Sequence, residues 1–319
     1  MAREIPLPLS RAPSLSGNNM KSKLFSLDDA LAPIRSGSSI SLGGSLLRRP
    51  PNAAVRWLIK NNVRDLTLLT WAATTAIDLL AAAGAVKRYE GIYAGLFNFG
   101  LAPNFRRRVQ EGAIEVRDFS ETAMVARLRA ASQGLPSLPI KTLFGSDIAL
   151  KNPEQIKEYA CPISGEQLLA VAAARSDFTI LHGYVGDEFG NVQWPLVRDS
   201  DDVDQMMAAA SSRLIVTVEK IVPHEVISRR PALTYIPGQM VEAIVEIPYG
   251  AHPAAVDGFY DEDQAHLEAY VEASQTDQGA SAYLDRYARQ ALDHSDYLRL
   301  LGGLAAVEKL TVEREDTWQ

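Results

Sequence analysis

Two places in the chain combine residue types that could hold an anion or act on an electrophile. The first is Gly43-Gly44-Ser45-Leu46-Leu47-Arg48-Arg49-Pro50-Pro51, which follows an apolar run and precedes a helical pattern opening at Asn52. A glycine pair where a strand gives way to a loop lets backbone N–H groups come close to a bound group. Two arginines and a helix N-terminus just beyond suit a carboxylate or a phosphate. The same residues equally describe a tight turn needing positive φ, with its arginines in water. The second place is Asp118-Phe119-Ser120-Glu121-Thr122, between a predicted strand and a long helical pattern. A carboxylate there can attack a thioester or take a proton from water. Against that stands ordinary capping, since a serine followed by an acid in the first turn satisfies a helix N-terminus.

Other chemistry-bearing residues have simpler explanations. The segment from His182 to Trp194 reads as a strand, a turn on Gly190-Asn191 and a return strand. His252, in Tyr249-Gly250-Ala251-His252-Pro253, sits in a rigid loop where it could meet a ligand or be an inert hydrogen-bonded histidine. His224-Glu225 begins like a zinc-protease motif, but Ser228 occupies the second histidine's place, so no metal site is expected. Arg106–Arg108 form a basic helix face, solvated or turned to an acidic partner. Cys161 precedes Pro162, with nothing in the local sequence to lower its pKa, and has no assigned role. Walker A, G-x-G-x-x-G and G-x-S-x-G motifs are all missing, which removes the main support for nucleotide-binding and α/β-hydrolase readings.

The elements that must position these residues alternate. Apolar runs over 39–42, 66–71, 91–96, 114–119, 139–144, 178–185, 213–218 and 241–247 end in glycine or a small residue. Helical patterns lie between them over 52–61, 75–85, 104–111, 121–133, 202–211 and 224–229. Such alternation predicts an α/β fold, a mostly parallel sheet flanked by helices on both faces. In an open sheet of this kind ligands bind at the carboxyl edge, where both candidate sites would fall. From 261 onward the pattern is helical and polar (264–275, 279–294, 296–300), predicting a C-terminal cap. The predicted organisation is a disordered leader over 1–22, an α/β domain over 23–260, and a cap and tail over 261–319, with order beginning near Ser26.

Bulk properties narrow the class. The chain has 319 residues, 47% of them apolar and 22% charged, enough for a sizeable core. A net charge of −7 argues against nucleic acid. No apolar run reaches the ~20 residues that span a bilayer, so no membrane association is expected. One cysteine excludes an internal disulfide, and a cytoplasmic location is the expectation.

Taken together, these segments resemble the A-type (alpha) chain of glutaconate CoA-transferase, a family I CoA transferase, over roughly 22–303. The resemblance rests on Gly43-Gly44 with Arg49 and Pro51, on Gly134-Leu135-Pro136-Ser137-Leu138-Pro139, and on the hairpin from His182 to Asn191. It continues through Ile236-Pro237-Gly238, Pro248-Tyr249-Gly250-Ala251-His252-Pro253, Gly258-Phe259-Tyr260-Asp261 and Asp293-His294-Ser295-Asp296-Tyr297-Leu298. It implies coenzyme A as a substrate with no permanently bound cofactor, and transfer of CoA between an acyl-CoA and a carboxylic acid. The transfer would run through a glutamyl-CoA thioester on a B-type (beta) partner subunit, in a hetero-oligomer of alpha–beta pairs. The comparable strand here, Leu66 to Ala73, ends without an acid, as an alpha chain of this kind should. By the resemblance, backbone N–H groups near Gly43 and Gly44 would hold the developing oxyanion, Arg49 a substrate carboxylate, and Ser120 would line the site. One departure is Glu121, where glutaconate-type alpha chains carry an amide. A related branch in bacterial steroid-ring degradation has glutamate there and hydrolyses a carbon–carbon bond of a cyclic acyl-CoA. That similarity implies a hydrolase with Glu121 as general base. A third possibility is a non-catalytic subunit that shapes its partner's pocket.

Overall fold

The computed structural model describes residues 21–72, 74–195 and 202–312. Helix α1 (Leu27–Leu31) comes first, its N-cap Ser26 accepting a hydrogen bond from the Asp29 N–H. Strand–helix pairs follow: β1 (Ser39–Ser45), α2 (Asn52–Lys60), β2 (Leu66–Ala72), α3 (Thr74–Ala82), β3 (Val86–Gly91), α4 (Pro103–Gln110), β4 (Glu115–Asp118) and α5 (Glu121–Ser132). The chain then leaves the alternation for β5 (Ser137–Ile140), α6 (Asp147–Lys151), β6 (Ile156–Ala160) and β7 (Gln167–Ala172). It returns through β8 (Phe178–Gly186), β9 (Val192–Gln193), α7 (Asp202–Ala210), β10 (Leu214–Ile221), α8 (His224–Ser228), β11 (Thr234–Ile236) and β12 (Val241–Glu246). Helices α9 (Gln264–Ala273), α10 (Asp277–Leu284), α11 (His294–Leu300) and α12 (Leu304–Val307) form the cap.

Nine strands make one sheet. β1 pairs in parallel with β2 on one side and β8 on the other. From there β3 and β4 extend the sheet one way, and β10 and β12 the other, all parallel. β9 and β11 add an antiparallel flap at the end of β8. The winding direction therefore reverses between β1 and β8, and a crevice opens at the carboxyl ends of strands where that happens.

Burial on both faces explains why the strands read as continuous apolar runs. Ile40, Leu42, Leu68, Ile180 and Val245 pack under α1–α4 and the cap helices. On the opposite face Leu69 packs with α5 and α7, and Leu181, Val216 and Ile244 form a further cluster with Tyr184 and Trp194.

The fold departs from the expected elements in four places. The run expected over 91–96 is strand only at Gly91: β3 precedes it, and Lys87, Arg88 and Glu90 give that strand no apolar run. β5, β7 and β6 make a separate antiparallel sheet. The expected run over 139–144 is strand only as far as Ile140, and 156–160 and 167–172 are strands with no counterpart in the prediction. Their alternation explains the miss: Leu169 and Val171 of β7 are buried while Gln167 is exposed, a half-buried pattern unlike the apolar runs of the main sheet. Attachment to the sheet begins before Ser26. The Lys23 ammonium donates to the Gly238 and Val241 carbonyls, each at 2.7 Å, and Leu24 bridges to Ile244. Except for Lys21 and Ser22, the expected leader lies outside the described residues. Finally, the helix expected over 279–294 ends as a π-helical turn (Asp285–Arg289) after α10.

A buried polar layer fastens the cap. Asp78 of α3 accepts from the Tyr270 hydroxyl at 2.6 Å, the Asn104 amide at 2.9 Å and the Phe105 N–H at 2.8 Å. Nearby, the Arg56 guanidinium donates to the His252 carbonyl at 3.0 Å and lies 3.5 Å from the Tyr297 ring centroid. Burial and the Arg56 charge hold the surrounding histidines neutral: burial is the main cause for His266, pushed down to about 4, and for His294, pushed down to about 3. The His294 hydrogen bonds fit this neutrality, with Nε2 donating to the Pro248 carbonyl at 2.7 Å and Nδ1 facing Arg56 at 3.4 Å.

Because these folded-state values lie below the ~6.5 of a free histidine, the unfolded chain takes up protons first on acidification. Stability is then full above about pH 6.5 and falls as pH drops toward 4, by up to about 1.4 kcal/mol per pH unit for each histidine. We expect the urea midpoint to drop between pH 6.5 and 5, and the drop to shrink in His294→Asn. A midpoint flat across that window would contradict the assignment of neutral histidines under the cap.

Candidate active site

The glycine pair at the end of β1 meets an anion, and the anion is the protein's own. The Asp204 carboxylate, from α7, accepts from the Gly44 N–H at 3.0 Å and from the Arg49 guanidinium at 2.5 Å. Arg49 is 0% exposed, and its guanidinium carbon lies 5.4 and 5.5 Å from the Tyr184 and Trp194 ring centroids. A Cβ on Gly43 would stand 2.3 Å from Leu181 and 2.8 Å from the Asp204 carboxylate, so the close approach does require glycine. Gly44, at φ +88°, needs it for conformation as well.

In this structure Arg49 is buried and paired with Asp204, not open to a substrate carboxylate. The Gly44 N–H is committed to Asp204 and the Ser45 N–H to the Arg48 carbonyl at 2.9 Å, so an oxyanion would have to displace Asp204 to reach Gly44.

What the turn does position is the wall of a cleft of about 420 Å³ at the carboxyl ends of β1–β4. Each strand contributes its last residues: Ser45 and Leu46 from the first, Trp71 and Ala72 from the second, Ile92 and Tyr93 after the third, Phe119 to Glu121 after the fourth. Ser120 caps α5, its hydroxyl accepting from the Ala123 N–H at 3.2 Å. Glu121 is exposed in the cleft, and among the described residues no hydrogen bond or ion pair engages its carboxylate. Capping therefore accounts for Ser120 and leaves the Glu121 carboxylate available for chemistry. β2 ends at Trp71 and Ala72 with no acid, Ala73 lying outside the described residues.

A buried ion pair under this wall is absent from the sequence reading. The Arg127 guanidinium, on α5, lies 2.7 Å from the Glu90 carboxylate on β3 and donates to the Ala172 carbonyl at 3.1 Å. It also sits 3.9 Å from the Phe119 ring centroid. Burial lowers its pKa and the Glu90 charge opposes the shift. Helix α5 is thereby fixed to the main sheet and to the small one, holding Phe119 and Glu121 at the cleft. The available signal was a charge inside the apolar stripe Ala123, Met124, Ala126, Leu128, Ala131.

The remaining candidates are structural. His182 is 0% exposed and bonded to Glu219 at 2.6 Å and Thr217 at 2.8 Å, and Glu219 also receives the Tyr260 hydroxyl at 2.8 Å. His252 joins Tyr297 at 2.7 Å to Asp263 at 3.1 Å. Ser228, His224 and Asp187 stand in line, at 3.0 and 2.6 Å, in the order of a hydrolytic triad. Ser228, however, closes α8, where carbonyls rather than N–H groups point outward, the wrong polarity for an oxyanion. Asp187 serves the hairpin as well, accepting from the Asn191 N–H at 2.9 Å and the Phe189 N–H at 3.0 Å. Cys161 differs from expectation: hydrogen bonding to Ser164 lowers its pKa. Among the described residues no three His, Cys, Asp or Glu side chains group as a metal site, and no helix is long and apolar enough to cross a membrane.

This geometry has counterparts among known proteins. A family model described as coenzyme A transferase matches residues 25–247. An uncharacterized protein of Archaeoglobus fulgidus is 33% identical over 296 residues, 91% of this chain but 65% of that longer protein. The A-type chain of glutaconate CoA-transferase from Acidaminococcus fermentans is 34% identical, covering 88% of this chain and 92% of the relative. The crystal structure of that transferase superposes with a TM-score of 0.86 at 30% identity, covering 93% of this chain and 98% of that one. The cholesterol ring-cleaving hydrolase IpdA subunit of Mycobacterium tuberculosis is also 34% identical, covering 84% of this chain and 94% of the relative. Overall identity thus does not separate a transferase from a hydrolase.

Removing Asp204 takes away the carboxylate 2.5 Å from the buried Arg49 guanidinium and frees the Gly44 N–H. We expect Asp204→Ala to cost about 3–5 kcal/mol in urea denaturation, the range for breaking a buried pair from one side. A loss below about 1 kcal/mol would show that Arg49 finds other compensation and that the turn does not depend on this carboxylate.

Proposed function

Because the chain belongs to the coenzyme A transferase family, we propose that it is the A-type half of a two-subunit CoA transferase that binds an acyl-CoA thioester at the cleft. The observation that carries this reading is the likeness to glutaconate CoA-transferase along nearly the whole chain. The acid-free end of β2 supports a nucleophile supplied by a B-type partner. In that scheme the partner's glutamate attacks the thioester carbonyl, the C–S bond breaks, and CoA thiolate leaves an acyl–glutamyl anhydride. The thiolate then attacks the glutamyl carbonyl and releases the carboxylic acid, giving a glutamyl-CoA thioester that an acceptor acid resolves by the reverse steps. This chain contributes the cleft wall, with Trp71, Tyr93 and Phe119 excluding water around the thioester.

A second reading is favoured by Glu121. A carboxylate in the cleft without a structural partner suits a general base that takes a proton from water as the water attacks the ring ketone carbon of a cyclic keto acyl-CoA. Carbon–carbon cleavage would follow, with Glu121 returning the proton to the departing carbon.

The two readings separate in one experiment on the chain co-purified with its partner. The complex is incubated with acyl-CoA with and without a carboxylic acid, and both polypeptides are followed by intact mass. Transfer predicts a CoA-sized gain on the partner, discharged by the acid, with Glu121→Gln costing less than about tenfold in turnover. Hydrolysis predicts no adduct, turnover with water alone, and a loss of about 10²–10⁴ in Glu121→Gln. An adduct on the partner together with no effect of any cleft substitution would reduce this chain to a scaffold.

A further inference from the structure

The carboxyl edge of the main sheet carries another cavity, of about 440 Å³, on the half that holds β8 and β10. Val185, near the end of β8, has Lys220 of β10 and Gln193 of β9 as its register partners, so the three side chains leave the same face. Val226 of α8, then Arg229, Arg230 and Leu233 after it, line the rest. The buried Gln193 amide donates to the Ile227 carbonyl at 2.9 Å and to the Arg230 carbonyl at 2.8 Å, which fastens the end of α8 beside the cavity. Two carbonyls that would oppose an anion at a helix C-terminus are thereby turned to a donor.

The cations of this cavity differ from others at the surface. Arg213, just before β10, donates to Glu242 at 2.8 Å, and Arg88 to Glu115 at 2.9 Å. Among the described residues no carboxylate or other acceptor engages the side chains of Lys220 and Arg229, both exposed, and none that lines the cavity is acidic. On a chain of net charge −7, gathered positive charge with no counter-ion stands apart. Like charges held together repel, and a bound anion relieves that cost. The remaining walls are apolar. A solvated basic patch needs no such walls, whereas a ring system that carries phosphates uses both.

We propose that this cavity binds a nucleoside diphosphate, its phosphates on Lys220 and Arg229 and its base against Val185, Val222, Val226 and Leu233. The Arg229 guanidinium offers a planar fork to two phosphate oxygens, and Lys220 a point charge. Two sources supply that chemistry: a free nucleotide acting from outside the cleft, and the nucleotide end of a CoA whose thioester lies within it. β2, β1, β8 and β10 are neighbours in that order, so β10 stands three strand spacings, about 14 Å, from β2. An extended pantetheine arm spans such a distance, and both sources fit the geometry. The charges and walls of the cavity are independent of whatever reaction Glu121 or a partner's glutamate performs.

Calorimetric binding of ADP to the co-purified two-subunit complex tests the site apart from turnover. The unmodified complex should bind ADP at least tenfold more tightly than adenosine. Lys220→Gln and Arg229→Gln should each weaken ADP by roughly tenfold, on the order of a charged hydrogen bond, with the melting temperature unchanged. Lys87→Gln, which removes an exposed charge at the amino end of β3, should leave ADP affinity intact. Displacement of ADP by saturating CoA would identify the occupant as the nucleotide end of CoA, and ADP that stays bound would identify a separate ligand; either result upholds the site. No ADP binding, or an ADP affinity unchanged in both glutamine variants, would overturn it, and turnover of acyl-CoA by the same complex would then leave the acyl-CoA reading standing. A complex that binds ADP in this way but neither binds nor consumes acyl-CoA would fail that reading alone.

Discussion

The pairing of Asp204 with Arg49 and the Gly44 N–H is the constraint on which the rest of the site depends. It lies where the sheet reverses its winding, the point at which open α/β sheets usually admit a ligand. Here a carboxylate of the chain takes the ligand's place. A buried guanidinium needs a counter-charge, and a turn with an inward N–H needs an acceptor; one aspartate from α7 answers both. The loop after β1 is thereby locked to the opposite half of the sheet. Ser45 and Leu46 then have a defined place at the cleft, and the opening shifts from the switch point to the ends of β1–β4.

The central strands of the main sheet were legible because they are buried on two sides. Leu66 to Ala72 and Phe178 to Gly186 have no solvent face to write polar residues into, so each stands out as an apolar run. The small sheet of β5, β7 and β6 was not legible for the opposite reason. Lys157 and Glu158 point to water beside the buried Ile156, and a short half-exposed strand of that kind resembles a loop. Within the site, the glycine turn and the Ser120–Glu121 helix start were visible locally. Their interpretation was not: Arg49 could be assigned to a ligand only while its partner, 155 residues away, was unknown. Arg127 and Glu90, 37 residues apart, were hidden in the same way. Spacing along a chain reveals that a charge is present; only the fold reveals whether something already neutralises it.

That distinction bears on which carboxylate of this chain is free to meet a bound group. Asp78, Glu90, Asp187, Asp204 and Glu219 are buried, and each meets hydrogen-bond donors from its own chain. Carboxylates held in that way stabilise the fold and cannot swing to a substrate without leaving a buried donor unsatisfied, at a cost of about 1–3 kcal/mol. Glu121 carries no such tie. It starts a helix whose N-terminus Ser120 already caps, and its helix is fixed two turns later by Arg127 to Glu90 and Ala172. A rigid helix bearing an uncommitted carboxylate at a cleft mouth is what a positioned base or a substrate-sensing charge requires. The same helix carries Arg129, which lines an adjoining cavity with Glu121. Rigidity of α5 therefore fixes the separation between the two charges.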